Sequence, residues 1–135
     1  MDELRRGTGR RFYAGLLEAL IQVMGTAKGY LFNHGPRVAL TARRIAESLD
    51  LTEEERSEVF LAAVLMDLGM IGLVEDAWEN PVPVLPEESR ARVAEHPIGS
   101  ETSVRSIPHL ERIAPLIRHH HEWWDGSGYP DGLKA

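Results

Sequence analysis

The chain contains no cysteine in 135 residues, which excludes disulfides, thiolate metal sites and cysteine nucleophiles together. Any metal must be held by imidazole and carboxylate, donors that suit iron, zinc, manganese or nickel. Long apolar runs are missing as well. The longest, VFLAAVLM at residues 59–66, falls far short of the ~20 residues a membrane-spanning helix needs. The first eleven residues, MDELRRGTGRR, carry charge but none of the apolar stretch of a secretory signal. A cytoplasmic protein without membrane attachment is expected. Basic residues are in the minority, 15 Lys and Arg against 21 Asp and Glu, for a formal net charge of −6. No basic stripe with interleaved aromatics occurs, so duplex nucleic acid is not an expected partner. Period-two alternation, internal repeats and low-complexity tracts are lacking too.

What remains is helical periodicity. Phe12, Leu16, Leu17, Leu20, Ile21 and Met24 recur at that spacing, and Gly25 is placed to end the helix. TAKGYLFNHG (26–35) reads as a break. Pro36 suits the first turn of a second helix, whose Val38, Ala42, Ile45 and Leu49 share a face. Thr52 with Glu55 makes a capping box that opens a third. That helix carries Val59, Phe60, Ala63 and Val64 towards Asp67 and stops near Gly69. Residues 75–86, EDAWENPVPVLP, read as an extended loop, because Pro81, Pro83 and Pro86 push their predecessors out of the α region. EESRARVAEH resumes a helix and Pro97 begins another. HLERIAPLIRHHH gives one more, with Leu110, Ile113, Ala114 and Ile117 inward. The expected fold class is all-α, a single domain of residues 12–135 after an N-terminal extension of residues 1–11.

Six histidines carry the candidate chemistry: His34, His96, His109, His119, His120 and His121. Adjacent helical residues point about 100° apart, so neighbouring imidazoles can converge on a cluster of ions or on one ion near a helix end. His34 and His96 each sit just before a helix and Asp67 at the end of a third, a disposition that assembles metal sites at one edge of a bundle. His109 reads as an ordinary surface or core residue. The triplet is also compatible with a plain surface run, although Glu122 and two tryptophans follow it directly. DGSGYPDG (125–132) is the second punctuated element. Gly126, Gly128 and Gly132 license positive φ, and Pro130 fixes the chain between them. Taken alone, it reads equally well as a long turn with Trp123 and Trp124 serving as core.

Together, HHHEWWDGSGYPDGL at 119–133, HP-x-G at 96–99 and HGPRVA at 34–39 resemble the HD-GYP family. These are bacterial metal-dependent phosphohydrolases of the larger HD superfamily that cleave cyclic di-GMP. The resemblance runs from about residue 12 to the last. It implies an HD-type helical bundle around two or three metal ions, often iron, which lower the pKa of water and stabilise charge on phosphate oxygens. It also implies that His34, Asp67, His96, His120 and His121 are metal ligands, with Asp67 bridging two ions and acting in catalysis where the domain is active. His119 is left outside this ligand set. Asp125, Gly126, Gly128, Tyr129 and Pro130 match a loop implicated in substrate access and in contacts with GGDEF domains.

The sequence departs from the family at several positions. Where the family reads HDIGK, this chain reads MDLGM at 66–70. Met66 replaces the dyad histidine and Met70 the lysine thought to contact phosphate. Tyr30 stands where some members place a glutamate, so a third metal is not expected. Members continue past GYP-x-GL into helices that supply a further aspartate ligand, and the bundle is expected to lack these last helices. One metal position then keeps His34 and a share of Asp67, while the other keeps Asp67, His96, His120 and His121. The expectation is a degenerate domain in cyclic di-GMP signalling that holds one divalent ion (Fe, Zn or Mn) or none. It would be catalytically impaired and act by binding a GGDEF-domain or other signalling protein, or the cyclic dinucleotide. The alternative is an active phosphodiesterase using the surviving site, and a third reading is a metal-free scaffold. Self-association into a homo-oligomer is expected as cover for apolar surface.

Overall fold

The computed structural model describes residues 14–15, 18–22, 34–71, 73 and 82–134. Among the described residues the chain is all-α, with no strand and a single isolated bridge pairing Asp125 with Lys134. Helical turns at 14–15 and 18–22 fall within the first expected helix. Its Phe12, Leu16, Leu17, Met24 and Gly25 lie outside the described residues, as do Tyr30, residues 74–81 and the extension of residues 1–11. Helix α1 spans His34–Ser48, α2 Glu53–Leu65, α3 Glu87–Ala94, α4 His96–Arg105 and α5 Ala114–Arg118. Three 3-10 turns, Leu68–Met70, Val82–Val84 and Glu111–Ile113, complete the described elements. No described helix is long and apolar enough to cross a membrane.

The capping box behaves as its spacing dictates. Thr52 Oγ1 accepts from the Glu55 N–H at 3.3 Å, while the Glu55 carboxylate accepts from the Thr52 N–H at 2.8 Å. Helix α2 is thus started cleanly and buries Ala62, Ala63, Val64 and Leu65 at its far end. It packs along α1 and against α5. The main core gathers Ala39, Val64, Leu65, Val104, Ile113 and Ile117 around that contact. A second, smaller cluster joins Met70, Leu85 and Val93, with Leu73 packed on it.

Three expectations change. The buried stripe of α1 is Gly35, Ala39 and Ala46 rather than Val38, Ala42, Ile45 and Leu49. Val38 and Ala42 are half-buried, and Ile45 and Leu49 are 55% and 62% exposed. Small residues let the helix approach α2 closely, so the face with the smaller side chains wins the contact. His34 and His96 open their helices instead of preceding them. The segment HLERIAPLIRHHH is not one helix. Pro115 has no N–H to continue a ladder from residue 111, so a 3-10 turn gives way to a five-residue α5 with proline in its first turn. His119, His120 and His121 follow in turns, and their convergence comes from that turn and not from the 100° helical step.

Candidate metal site

Two close backbone approaches bring the site together. At Gly69 an added Cβ would lie 2.3 Å from the His96 carbonyl oxygen and 2.7 Å from the Ser100 nitrogen. Ser100 is fully buried and locks this junction, its Oγ accepting from the Gly69 N–H at 2.7 Å and donating to the Met66 carbonyl at 2.6 Å. The start of α4 is thereby pinned to the turn that carries Asp67. At Gly35 a Cβ would stand 3.1 Å from the Val64 carbonyl oxygen, which sets the start of α1 beside the end of α2.

The five histidine and aspartate positions singled out from the sequence meet there. Asp67 Oδ1 lies 3.4 Å from His96 Nε2, and Asp67 Oδ2 lies 3.9 Å from His34 Nε2. His96 Nε2 and His120 Nε2 are 3.2 Å apart. Ring nitrogens of His96, His120 and His121 all fall within 4.8 Å of one another. Asp67 and His96 are buried, and the other three are half-buried.

The ring orientations are set from behind. His96 Nδ1 is 2.6 Å from the Val93 carbonyl, and His120 Nδ1 is 2.6 Å from that of Ile117. A carbonyl can only accept, so both Nδ1 atoms carry the proton in the neutral rings and both Nε2 atoms present lone pairs. Two lone pairs 3.2 Å apart beside a carboxylate repel unless a cation or a shared proton lies among them. Two nitrogens binding one ion at about 2.0–2.1 Å take a separation of this size. Asp67 Oδ2 is buried and has no hydrogen-bond partner among the described residues. A buried carboxylate oxygen without a partner is costly, and a metal ion would satisfy it. These donors fit a borderline divalent ion such as zinc or iron.

Charge is arranged accordingly. Burial acts to raise the Asp67 carboxyl, but the neighbouring His96, then His34 and His120, hold it below the usual carboxylate range. Burial pushes the His120 imidazole down, and with neighbouring His120 and His96 it pushes His121 down to about 4. Asp67, His120 and His121 are therefore in ligand-ready form at neutral pH. The unfolded chain titrates such rings near ~6.5, so it binds protons between about pH 6.5 and 4 that the fold refuses. Stability should fall with pH across that window. In chelator-treated protein the urea midpoint should drop more steeply from pH 7 to 4.5 than in a His120→Asn, His121→Asn variant. Parallel slopes in the two proteins would rule this out.

The turn after the ligand pair folds back on it. The Tyr129 ring stacks on His121 with centroids 4.7 Å apart and planes 18° from parallel, and its N–H donates to the His121 carbonyl at 3.2 Å. The Tyr129–Pro130 peptide is cis. Burial and then the Asp67 charge raise the Tyr129 phenol, keeping it protonated. Gly126 and Gly132 adopt the expected positive φ, 82° and 64°. Gly128 does not; its role is contact, since a Cβ there would be 2.3 Å from the Trp123 nitrogen. Asp125 accepts from the Ser127 N–H and hydroxyl, closing the loop tip. Trp123 and Trp124 are 64% and 84% exposed, so neither serves as core.

Residues not foreseen from sequence support this turn. Arg118 donates to both oxygens of Asp131 at 2.6 Å and to Glu101 at 2.9 Å, and Arg105 also pairs with Glu101. Arg118 draws Asp131 down to about 2. His119 reaches Asp131 at 2.9 Å, on this network and apart from the ligand group. Glu122 accepts from three successive backbone N–H groups, those of Asp131, Gly132 and Leu133. A carboxylate directly after a ligand pair and ahead of a glycine-rich turn was the available signal.

The two methionines occupy different surroundings. Met66 is buried and lines a 410 Å³ cleft together with His34, Val38, Ala42, Leu116, His120 and His121. Met70 belongs to the apolar cluster with Leu85 and Val93.

The HD domain family model matches residues 18–135. A cyclic di-GMP phosphodiesterase of Thermotoga maritima is 34% identical over 127 residues, covering 90% of this chain and 34% of that protein. The cyclic di-GMP phosphodiesterase response regulator RpfG of Xanthomonas campestris is 36% identical over 98 residues, 72% of this chain and 26% of its own length. The 3'3'-cGAMP-specific phosphodiesterase 3 of Vibrio cholerae is 28% identical over 120 residues, 89% of this chain and 26% of its own. The chain thus spans about a third or less of the length of these curated relatives.

Proposed function

We propose, for a chain that belongs to the HD-GYP group of the HD-domain family, a role in cyclic dinucleotide signalling as a domain with one divalent-metal site and impaired hydrolysis. It acts through binding of the nucleotide or of a partner protein. The observation that carries this reading is the split in donor quality across Asp67. On one side stand His96, His120 and His121, within ligand distance of each other. On the other, His34 faces Asp67 Oδ2 at 3.9 Å, with the thioether of Met66 in the same cleft. A thioether is a soft, weak donor for a borderline divalent ion, so one ion is favoured over two.

An ion held there would lower the pKa of a water molecule and polarise a phosphoryl oxygen. The chain's own residues supply the rest. Asp67 provides negative charge, the Val93 and Ile117 carbonyls fix the rings of His96 and His120, and Tyr129 stacks on His121. Among the described residues the cleft beside them is lined by apolar side chains and histidines, with no lysine or arginine to meet phosphate. The exposed Trp123 and Trp124 favour a protein partner, a GGDEF domain or another signalling protein, at the rim of the loop. Retention of the four donors on the His96 side favours the second reading, an active phosphodiesterase on cyclic di-GMP or 3'3'-cGAMP, substrates named for the relatives.

Elemental analysis of purified protein tests both, alongside a His120→Ala, His121→Ala variant. About one equivalent of iron, zinc or manganese is expected, lost in the variant. Calorimetric titration and chromatographic turnover assays with cyclic di-GMP and 3'3'-cGAMP follow on the loaded protein. Turnover that vanishes in the variant would establish the second reading. No bound metal after supplementation would sink both.

A further inference from the structure

We propose that Glu122 is a positioning residue of the site, its carboxylate fastening residues 131–133 so that Tyr129 stays stacked on His121. The observations are geometric. Glu122 Oε1 accepts from the Asp131 N–H at 2.7 Å and the Gly132 N–H at 3.1 Å, and Oε2 accepts from the Leu133 N–H at 2.9 Å. Three consecutive N–H groups turned to one point form an anion-binding nest, and positive φ at Gly132, 64°, shapes it. Charge-assisted bonds of this kind are roughly twice as strong as neutral ones.

The clamp joins both ends of one short loop. Glu122 follows His121 directly, and the nest follows Pro130 directly. Closing 122 onto 131–133 leaves residues 123–130 as a ring of chain, and Tyr129, at its closing end, meets His121 at its opening end. The contact is doubled there, since the Tyr129 N–H donates to the His121 carbonyl and the rings stack at 4.7 Å. Gly128 allows the ring to close, because no Cβ fits against Trp123 and Glu122. Asp131 adds an exposed side-chain pair with Arg118, but that bond leaves the backbone of Gly132 and Leu133 unheld. Glu122 therefore acts through Tyr129 on the ring plane of His121. The proposal rests on the metal-site reading only for its consequence in affinity.

The test starts in metal-free protein, where failure of the clamp and failure of the metal reading separate. The His121 ring protons should resonate upfield in the NMR spectrum, because the Tyr129 ring lies over them, and Tyr129→Leu supplies the value without that ring. Glu122→Ala should move these signals to the Tyr129→Leu position while the Ile113 and Ile117 methyl signals stay native. Zinc affinity should fall about 10–100-fold in the same variant, as when other orienting partners of ligands are removed. Asp131→Asn should retain the upfield shift. Should Glu122→Ala fail to fold, Glu122→Gln keeps two of the three bonds and should move the signals part of the way. Unmoved His121 signals in Glu122→Ala, or in Glu122→Gln if only that folds, overturn the proposal. So does a loss of equal size in Asp131→Asn, which would transfer the role to the ion pair.

Discussion

Lysine at position 70 should cost this protein about 3 kcal/mol of folding stability rather than hand the site a cation. Met70 is 3% exposed and packs with Leu85 and Val93, with Leu73 against the same cluster. An ammonium placed among these apolar side chains loses its hydration, and a buried charge left unpaired costs several kcal/mol or forces the group to shed its proton. Met70→Leu is the control, a volume-conserving change expected to cost under about 1.5 kcal/mol. The measurement is the urea midpoint at pH 7 of the two variants against the parent protein. A Met70→Lys midpoint equal to that of Met70→Leu would mean that the ammonium reaches water or a carboxylate, and the packing argument would fail. Restoring the family's lysine is therefore a different experiment from restoring its histidine. Met66 lines the cleft with His34 and His120, so Met66→His adds a donor where donors already gather.

That contrast marks how far the sequence could be read. Positions fixed by local chemistry were legible. The Thr52–Glu55 box needs only a three-residue spacing, and α2 begins where it says. Pro97 sits in the first turn of α4 as its missing N–H allows. Where neighbours decide, periodicity was a weaker guide. The apolar pattern of α1 marked the face of Val38, Ala42, Ile45 and Leu49, whereas close approach to α2 buried Gly35, Ala39 and Ala46. The end of α5 was unreadable for a similar reason. Nothing in APLIRHHH announces a stop, yet the His120 ring takes the Ile117 carbonyl, and the chain has left the helix by His119.

The site was legible in its residue types and illegible in its supports. His34, Asp67, His96, His120 and His121 come together in the fold. Met66 and Met70 looked alike on paper, two losses from one motif, and only packing tells that one faces the ligands and the other the core. Ser100 and the Arg118–Asp131 pair carry no metal-ligand chemistry of their own, so no motif logic singles them out, and Glu122 stands inside the motif without its backbone partners being readable. Their partners are 9 to 34 residues away along the chain, a separation at which spacing carries no signal.

Gly69 is the position where fold and site are least separable, and Gly69→Ala should damage both. Sequence marks this glycine only as a helix end. In the fold its missing side chain is what lets α4 touch the Asp67 turn, because a Cβ would stand 2.3 Å from the His96 carbonyl oxygen, 2.7 Å from the Ser100 nitrogen and 3.0 Å from Ser100 Oγ. The first two are backbone atoms, so no rotamer change relieves the overlap and the helix must withdraw. Withdrawal stretches the Gly69–Ser100 and Ser100–Met66 hydrogen bonds, both in buried surroundings. It also draws His96 away from Asp67, now at 3.4 Å. Overpacking costs about 1–3 kcal/mol, and a strained buried hydrogen bond adds to it, so a loss of about 3 kcal/mol or more is expected. Zinc affinity should fall with it, by about 100-fold, since the carboxylate and the His96 imidazole no longer share one ion's reach. Gly99→Ala is the internal control. Gly99 lies on α4 facing the same junction, but its added Cβ would meet only the Gly69 Cα at 3.5 Å, an ordinary contact. Alanine is the better helix former by about 1 kcal/mol, so that variant should be as stable as the parent or slightly more so, with zinc binding intact. Urea unfolding and zinc titration of the two variants decide the matter. Equal behaviour of Gly69→Ala and Gly99→Ala would show that α4 can slide without harm, and that the junction does not set the distance between His96 and Asp67.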